Sequence, residues 1–202
     1  MISRSSAKAQ ATRARILEAA RRELGRDPDS GLGDIAEAAG VARRTIYGHF
    51  AGRAALVHGL AADAGEAVRR ASAAARAPTP DAVTALAHFV LTLWPVGDRC
   101  RMLITLAHRD LDPDAVDALL GPARDTVARI LAQGQYQGVF HTAVPPVPLT
   151  RAVEALVLSL LDSVNSGRWT DDGTAATTAA LIAAGVGPDL AATTVHRLRP
   201  SH

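Results

Sequence analysis

Residues 40–50 read GVARRTIYGHF, a glycine followed within ten positions by Arg43, Arg44, Thr45, Tyr47 and His49. Ile46 and Phe50 stand four apart among these polar groups, the spacing of one inward helical face. Upstream, Leu32 to Ala39 places Ile35, Ala36 and Ala39 on a similar face, and Gly40 occupies the position where a helix ends on a left-handed residue. Gly40-Val41-Ala42 is short enough to force the chain round sharply, with Val41 filling the angle, so the two segments form a helix-turn-helix. In such a unit the second helix lies in the major groove of DNA and its N-terminal side chains meet base edges. Arg43 and Arg44 suit that task, because a guanidinium bonds guanine O6 and N7 bidentately and discriminates by ~1–3 kcal/mol. Thr45 suits a phosphate or a thymine methyl, and Tyr47 and His49 lie off the inward face where their polar tips reach phosphates. Arg53 adds charge at the start of the next helix. The competing reading of the same residues is an ordinary solvated helix.

Outward from this stretch the chain reads at helical period throughout, with no long alternation of apolar and polar residues. A first helix near Ala7 to Leu24 carries Ile16, Leu17, Ala20 and Leu24, and Asp27 to Gly31 breaks it. A fourth runs from about Gly52 to Ala77 with Leu56, Leu60, Ala64, Val68 and Ala71 inward. Thr79-Pro80-Asp81 predicts a fifth start, with Thr79 as cap and Asp81 in the first turn, and Pro95 its end. A sixth covers Asp98 to His108. Asp112-Pro113-Asp114 opens another turn of helix, interrupted by Gly121-Pro122, and a seventh continues to about Gln137. The three prolines within residues 139–149 predict a loop. Two more helices, Thr150 to Ser166 and Thr174 to Ala184, complete the set, and Gly185, Gly187 and Pro188 predict an end to regular structure with a loose tail from Ala191. The expectation is an all-α chain of about nine helices.

Composition narrows the class. At 202 residues and 48% apolar, the chain is long enough for a real core. No apolar run approaches the ~18 residues of a membrane span, and the basic start leads into no apolar stretch that would mark a secretory signal, so a cytoplasmic address is expected. Cys100 is the sole cysteine, which excludes an intrachain disulfide and a cysteine-based zinc cluster. Net charge is only +2, but residues 1–53 hold ten Lys or Arg against six acids, and the remainder twelve against fourteen. That basic first quarter fits a segregated polyanion-binding part.

The segments TRARILEAARREL (residues 12–24) and GDIAEAAGVARRTIYGHFAGRAALV (residues 33–57) resemble the N-terminal DNA-binding region of TetR family transcriptional regulators. Ile35-Ala36, Ala39-Gly40-Val41, Thr45, Tyr47, His49-Phe50 and Leu56 fall at that family's spacing. The resemblance implies a three-helix DNA-binding domain over residues 1–52 and a ligand-binding and dimerisation domain over residues 53–202. It adds Arg13 of the first helix to Arg43, Arg44, Thr45, Tyr47, His49 and Arg53 as DNA-contacting candidates. This sequence departs from the pattern at Ala42, where a serine cap is common, at Arg53, where lysine is usual, and at Gly31 and Gly33, where bulkier residues are frequent and a looser start to the second helix is expected.

Two half-sites require two copies, about one helical turn (~34 Å) or a multiple apart, so a palindromic duplex DNA operator is the expected partner. Ala152, Val153, Ala155, Leu156, Val157, Leu158, Leu160, Leu161 and Val164 cover more than one stripe of their helix, too many for burial on one side only. The small residues of 175–185 permit close approach of another helix. A helix buried centrally in its own monomer would explain the same pattern, whereas the resemblance implies a homodimer through these last two helices. It also implies a small-molecule pocket in the body, for which Phe89, Leu93, Trp94, Met102, His108, Tyr136 and Phe140 are the candidate lining residues. The lack of charge on these stripes suggests an apolar effector, with His108 or Trp169 as polar contact. Plain core packing is the alternative for each. Cys100 and His108 lack a third partner for nucleophilic catalysis and no metal-ligand spacing occurs, so neither enzyme, metal nor cofactor is expected. The expected function is a repressor released from DNA by its effector, with a helix-turn-helix protein lacking any inducer as the alternative.

Overall fold

The computed structural model describes residues 4–75, 81–99, 103, 106 and 110–199, without the side chains of 4, 5 and 99. Among these residues the fold is all-helical: α1 (Arg4–Arg26), α2 (Leu32–Ala38), α3 (Arg43–His49), α4 (Arg53–Ala74), α5 (Ala82–Arg99), α6 (Pro113–Tyr136), α7 (Pro146–Asn165), α8 (Thr174–Ala183) and α9 (Pro188–Leu198). Two compact units are formed, one from residues 1–64 with 100–116, the other from residues 65–99 with 117–202. The first half of α4 and Asp110 group with the helix-turn-helix.

In the first unit Ile16, Leu17, Ala20 and Leu24 of α1 are buried, as are Ile35 and Ala36 of α2, Ile46 of α3, and Leu56, Val57 and Leu60 of α4. On α1 and α4 the buried residues recur at three- and four-residue spacing, so burial there follows from the periodicity of the sequence. The second unit packs Leu86, Phe89 and Val90 of α5, Val127, Ile130 and Leu131 of α6, Leu149 and Val153 of α7, Ala180 and Leu181 of α8, and Ala191 and Val195 of α9 into one core.

Four boundaries differ from the sequence expectation, each of them at a proline. Pro95 lies inside α5, which continues to Arg99. A helix-interior proline forfeits one hydrogen bond at a cost of ~3 kcal/mol, and here packing holds both flanks: Trp94 lies against Gly173, and Leu161 against Gly97. Pro122 likewise leaves α6 continuous. Residues 146–149, expected in a loop, form the first turn of α7. The first-turn amides of a helix have no internal partner anyway, so Pro146 and Pro148 lose nothing there, and buried Leu149 anchors the turn.

The fourth difference is α9, where a loose tail was expected. Gly187, Pro188 at the first helical position and Asp189 in the first turn are a start signal, and Ala191, Thr194 and Val195 are buried. The caps follow the same grammar elsewhere. Asp112 accepts the Ala115 amide (2.7 Å) ahead of Pro113, and Asp81 caps α5 by accepting the Val83 and Thr84 amides at 3.0 and 3.2 Å. Thr79 and Pro80 lie outside the described residues.

Candidate nucleic-acid interface

The turn between α2 and α3 is built by backbone hydrogen bonds. Gly40 adopts φ +61°, and its amide donates to Glu37 O while that of Val41 donates to Ala36 O, both at 2.9 Å. This paired arrangement is the Schellman motif, which needs a left-handed residue where any side chain but glycine's is costly. Ala42 is extended (φ −66°, ψ 147°) and its carbonyl accepts the Thr45 amide at 2.8 Å, but no side chain caps α3. Two turns later Phe50 closes the helix through its amide to Ile46 O at 2.8 Å. Ile46 and Phe50 are buried, and they fix which way the remaining side chains face.

Arg43, Arg44 and Tyr47 are exposed, and Thr45 and His49 are half-buried. Arg44 has no acidic partner among the described residues. The Arg43 guanidinium leans back on α2, where a Cβ on Gly33 would sit 2.8 Å from Nη2. Gly33 is therefore the space into which Arg43 folds. The start of α2 is not left uncapped by Gly31, because the Asp34 carboxylate accepts the Gly31 amide at 2.9 Å.

The other two candidates engage the protein itself. Arg13, exposed on α1, holds its guanidinium over the Phe50 ring. Arg53 donates through Nη1 to the Ser30 carbonyl (2.9 Å) and through Nη2 to the Pro28 carbonyl, with both Nε and Nη2 at 3.4 Å from the Asp110 carboxylate. Asp110 was missed in the sequence; it lies 57 positions away, and no local pattern connects the two.

Of the candidate ligand residues, Phe89 and Phe140 are buried in the core of the second unit, Leu93 packs partly buried against it, and Trp94 is buried. Tyr136 does not join them: it is 94% exposed. The inward face of α6 is Thr126, Val127, Ile130, Leu131 and Gly134, and two residues past Gly134, about 200° round the helix, a side chain points away from it. Met102, His108 and Cys100 lie outside the described residues. Trp169 is half-buried.

Residues 16–60 match the family described as bacterial regulatory proteins, tetR family. None of the curated proteins matches the chain. Among solved structures, a gamma-butyrolactone receptor (ArpA-like protein) superposes with a TM-score of 0.73 at 17% identity over 95% of this chain and 98% of its own. PfmR, a TetR family transcriptional regulator from Thermus thermophilus, gives 0.67 at 22% identity over 86% and 95% of the two chains. FadR from Bacillus subtilis, solved with stearoyl-CoA, gives 0.68 at 16% identity over 85% and 97%. At such identities these structures speak to the fold, and they share it over nearly their whole length. Residues 16–60, which contain the helix-turn-helix, carry the segment that marks the tetR family of bacterial regulatory proteins, and the all-helical body that follows it in sequence shares its fold with those solved structures.

Proposed function

We propose that the protein is a dimeric repressor that binds a palindromic operator through α3 and is released by a small, largely apolar ligand. The observation that carries the DNA-binding part is the contrast between anchored Ile46 and Phe50 and the solvent-exposed Arg43, Arg44 and Tyr47 on the same two turns. Arg43 and Arg44 would read bases, and Thr45, Tyr47 and His49 would meet phosphates. Arg13 stands as a further candidate through the charge it keeps at the surface.

Dimerisation is supported by α7. Val153 and Leu161 are buried, whereas Leu156, Leu158, Leu160 and Val164 stay half-exposed and Ala152 and Ala155 exposed. Ile182 of α8 is also exposed. A second copy would cover this apolar surface through α7 and α8, which are not the last helices of the chain, since α9 follows them.

An effector is supported by solved structures of the same fold that hold one, among them RolR with resorcinol and FadR with stearoyl-CoA. Packing of Phe89 and Phe140 in one core favours the second reading, a regulator without an inducer.

Selection of bound duplexes from a random pool tests the first part. A palindromic sequence is expected, and R43A and R44A should lose the preference for it. No enrichment, or recovery of a lone asymmetric half-site, would refute the dimeric reading. A screen of apolar small molecules against the DNA complex separates inducer from no inducer.

A further inference from the structure

Arg53 stands at the first residue of α4, a place where its charge would naturally be credited to phosphate binding. Its guanidinium is committed elsewhere. Two carbonyls of the turn between α1 and α2, those of Pro28 and Ser30, and the Asp110 carboxylate take up its donors, and its side chain is only 27% exposed, that of Asp110 15%. A planar fork with five donors can hold a carboxylate through two nitrogens and two carbonyls besides, four bonds where an ammonium has only three donors. The surrounding carboxylate and carbonyl dipoles also offset the charge that a phosphate would feel.

What the fork holds matters for the helix-turn-helix. Ser30 is buried and Gly31, next to it, is where α2 begins. Since α2 is joined to α3 through the Schellman turn, fixing this loop fixes the approach angle of the recognition helix. Asp110 belongs to the same compact unit and lies three residues before α6, the helix on which the chain leaves that unit.

We propose that Arg53 is a positioning residue and not a phosphate ligand, and that Asp110, by holding it, sets the operator affinity of the helix-turn-helix. The proposal rests on the DNA-binding reading above. It makes a prediction whose sign differs from simple electrostatics. Replacing Asp110 by Asn removes a negative charge from a DNA-binding unit, so Coulomb attraction alone would tighten binding to every duplex. A positioning role demands the reverse on the operator.

The test compares wild type, D110N, R53K and R53A on a duplex recovered by wild type from a random pool and on a scrambled duplex, over a range of salt. Thermal melts establish that each variant is folded at the assay temperature. D110N, R53K and R53A should each lose about tenfold on the recovered duplex, with little change on the scrambled one, so that the specificity ratio falls. The slope of log K against log salt should stay as in wild type. A phosphate ligand would behave otherwise: R53A, which removes one contact from each protomer of the dimer, would flatten that slope by ~1.8 and R53K would restore it. D110N binding the recovered duplex as tightly as wild type or tighter, or a flattened slope for R53A, overturns the proposal while the DNA-binding reading stands. A wild-type chain that enriches no sequence overturns both.

Discussion

The Arg13 guanidinium of α1 lies over the ring of Phe50, 5.2 Å from its centroid, and so clamps the residue at which α3 ends. A cation over an aromatic face at a largely exposed site contributes ~0.5–1 kcal/mol. R13A should therefore lower unfolding free energy by about that amount in urea titration, and R13K should recover part of it. Wild-type stability in R13A would mean the contact carries no energy, and any loss of DNA affinity would then be one of charge alone.

Gly33 is the notch that receives Arg43. A methyl there would meet Nη2, the far end of a flexible side chain, which can swing away at little cost. Gly33 also lies within α2, where alanine is favoured over glycine by ~1 kcal/mol. G33A should raise stability by ~0.5–1 kcal/mol and turn Arg43 outward, changing base preference at the position that Arg43 reads. Clear destabilisation in thermal melts would show instead that Arg43 is held firmly on α2.

Asp81 makes the start of α5 sensitive to acid. Burial pushes its carboxyl up, but hydrogen bonds from the Thr84 hydroxyl and the Val83 and Thr84 amides, with the positive charge of Arg197, outweigh that and hold it below its ordinary value. A carboxyl lowered in the fold adds stability that is present above its unfolded pKa, about 3.9, and is lost as pH falls through the lower folded value. Stability measured from pH 5 downward should fall more steeply in wild type than in D81N. Parallel curves would remove Asp81 as a contributor.

Arg124 of α6 is paired bidentately with Glu154 of α7, Nε at 2.6 Å and Nη2 at 2.8 Å, and also with Asp117. Bonding to Glu154 holds the guanidinium pKa above its usual value in spite of partial burial. E154Q keeps the shape but removes the charge, and should cost ~1–2 kcal/mol in denaturant unfolding, because Asp117 remains as a partner. A loss below ~0.3 kcal/mol would place the pair with solvated surface bridges.

The helix-turn-helix was legible in the sequence because its signals are local: Gly40 for the turn, Ile46 and Phe50 for the inward face, the arginines by exclusion from it. The orientation of Tyr136 was not, since an aromatic near the end of α6 reads as core until the register set by Ile130, Leu131 and Gly134 turns it outward. Pro95 misleads because local chemistry argues for a stop, and only packing on distant Gly173 and Leu161 decides otherwise. Gly187-Pro188-Asp189 misleads differently. Its glycine and proline read as breakers, although Asp112-Pro113-Asp114 reads as a start by the same logic. The link from Arg53 to Asp110 belongs to tertiary structure alone.

The burial of Ala191 and Val195 against α5 and α8 bears on how this chain is handled at the bench. Cutting the coding region at Gly187, a tempting site for trimming a seemingly ragged end, would strip a wedge from the interior and leave its former neighbours wet. A fusion that keeps α9 together with Arg199, whose guanidinium bonds Asp172, leaves that wedge in place.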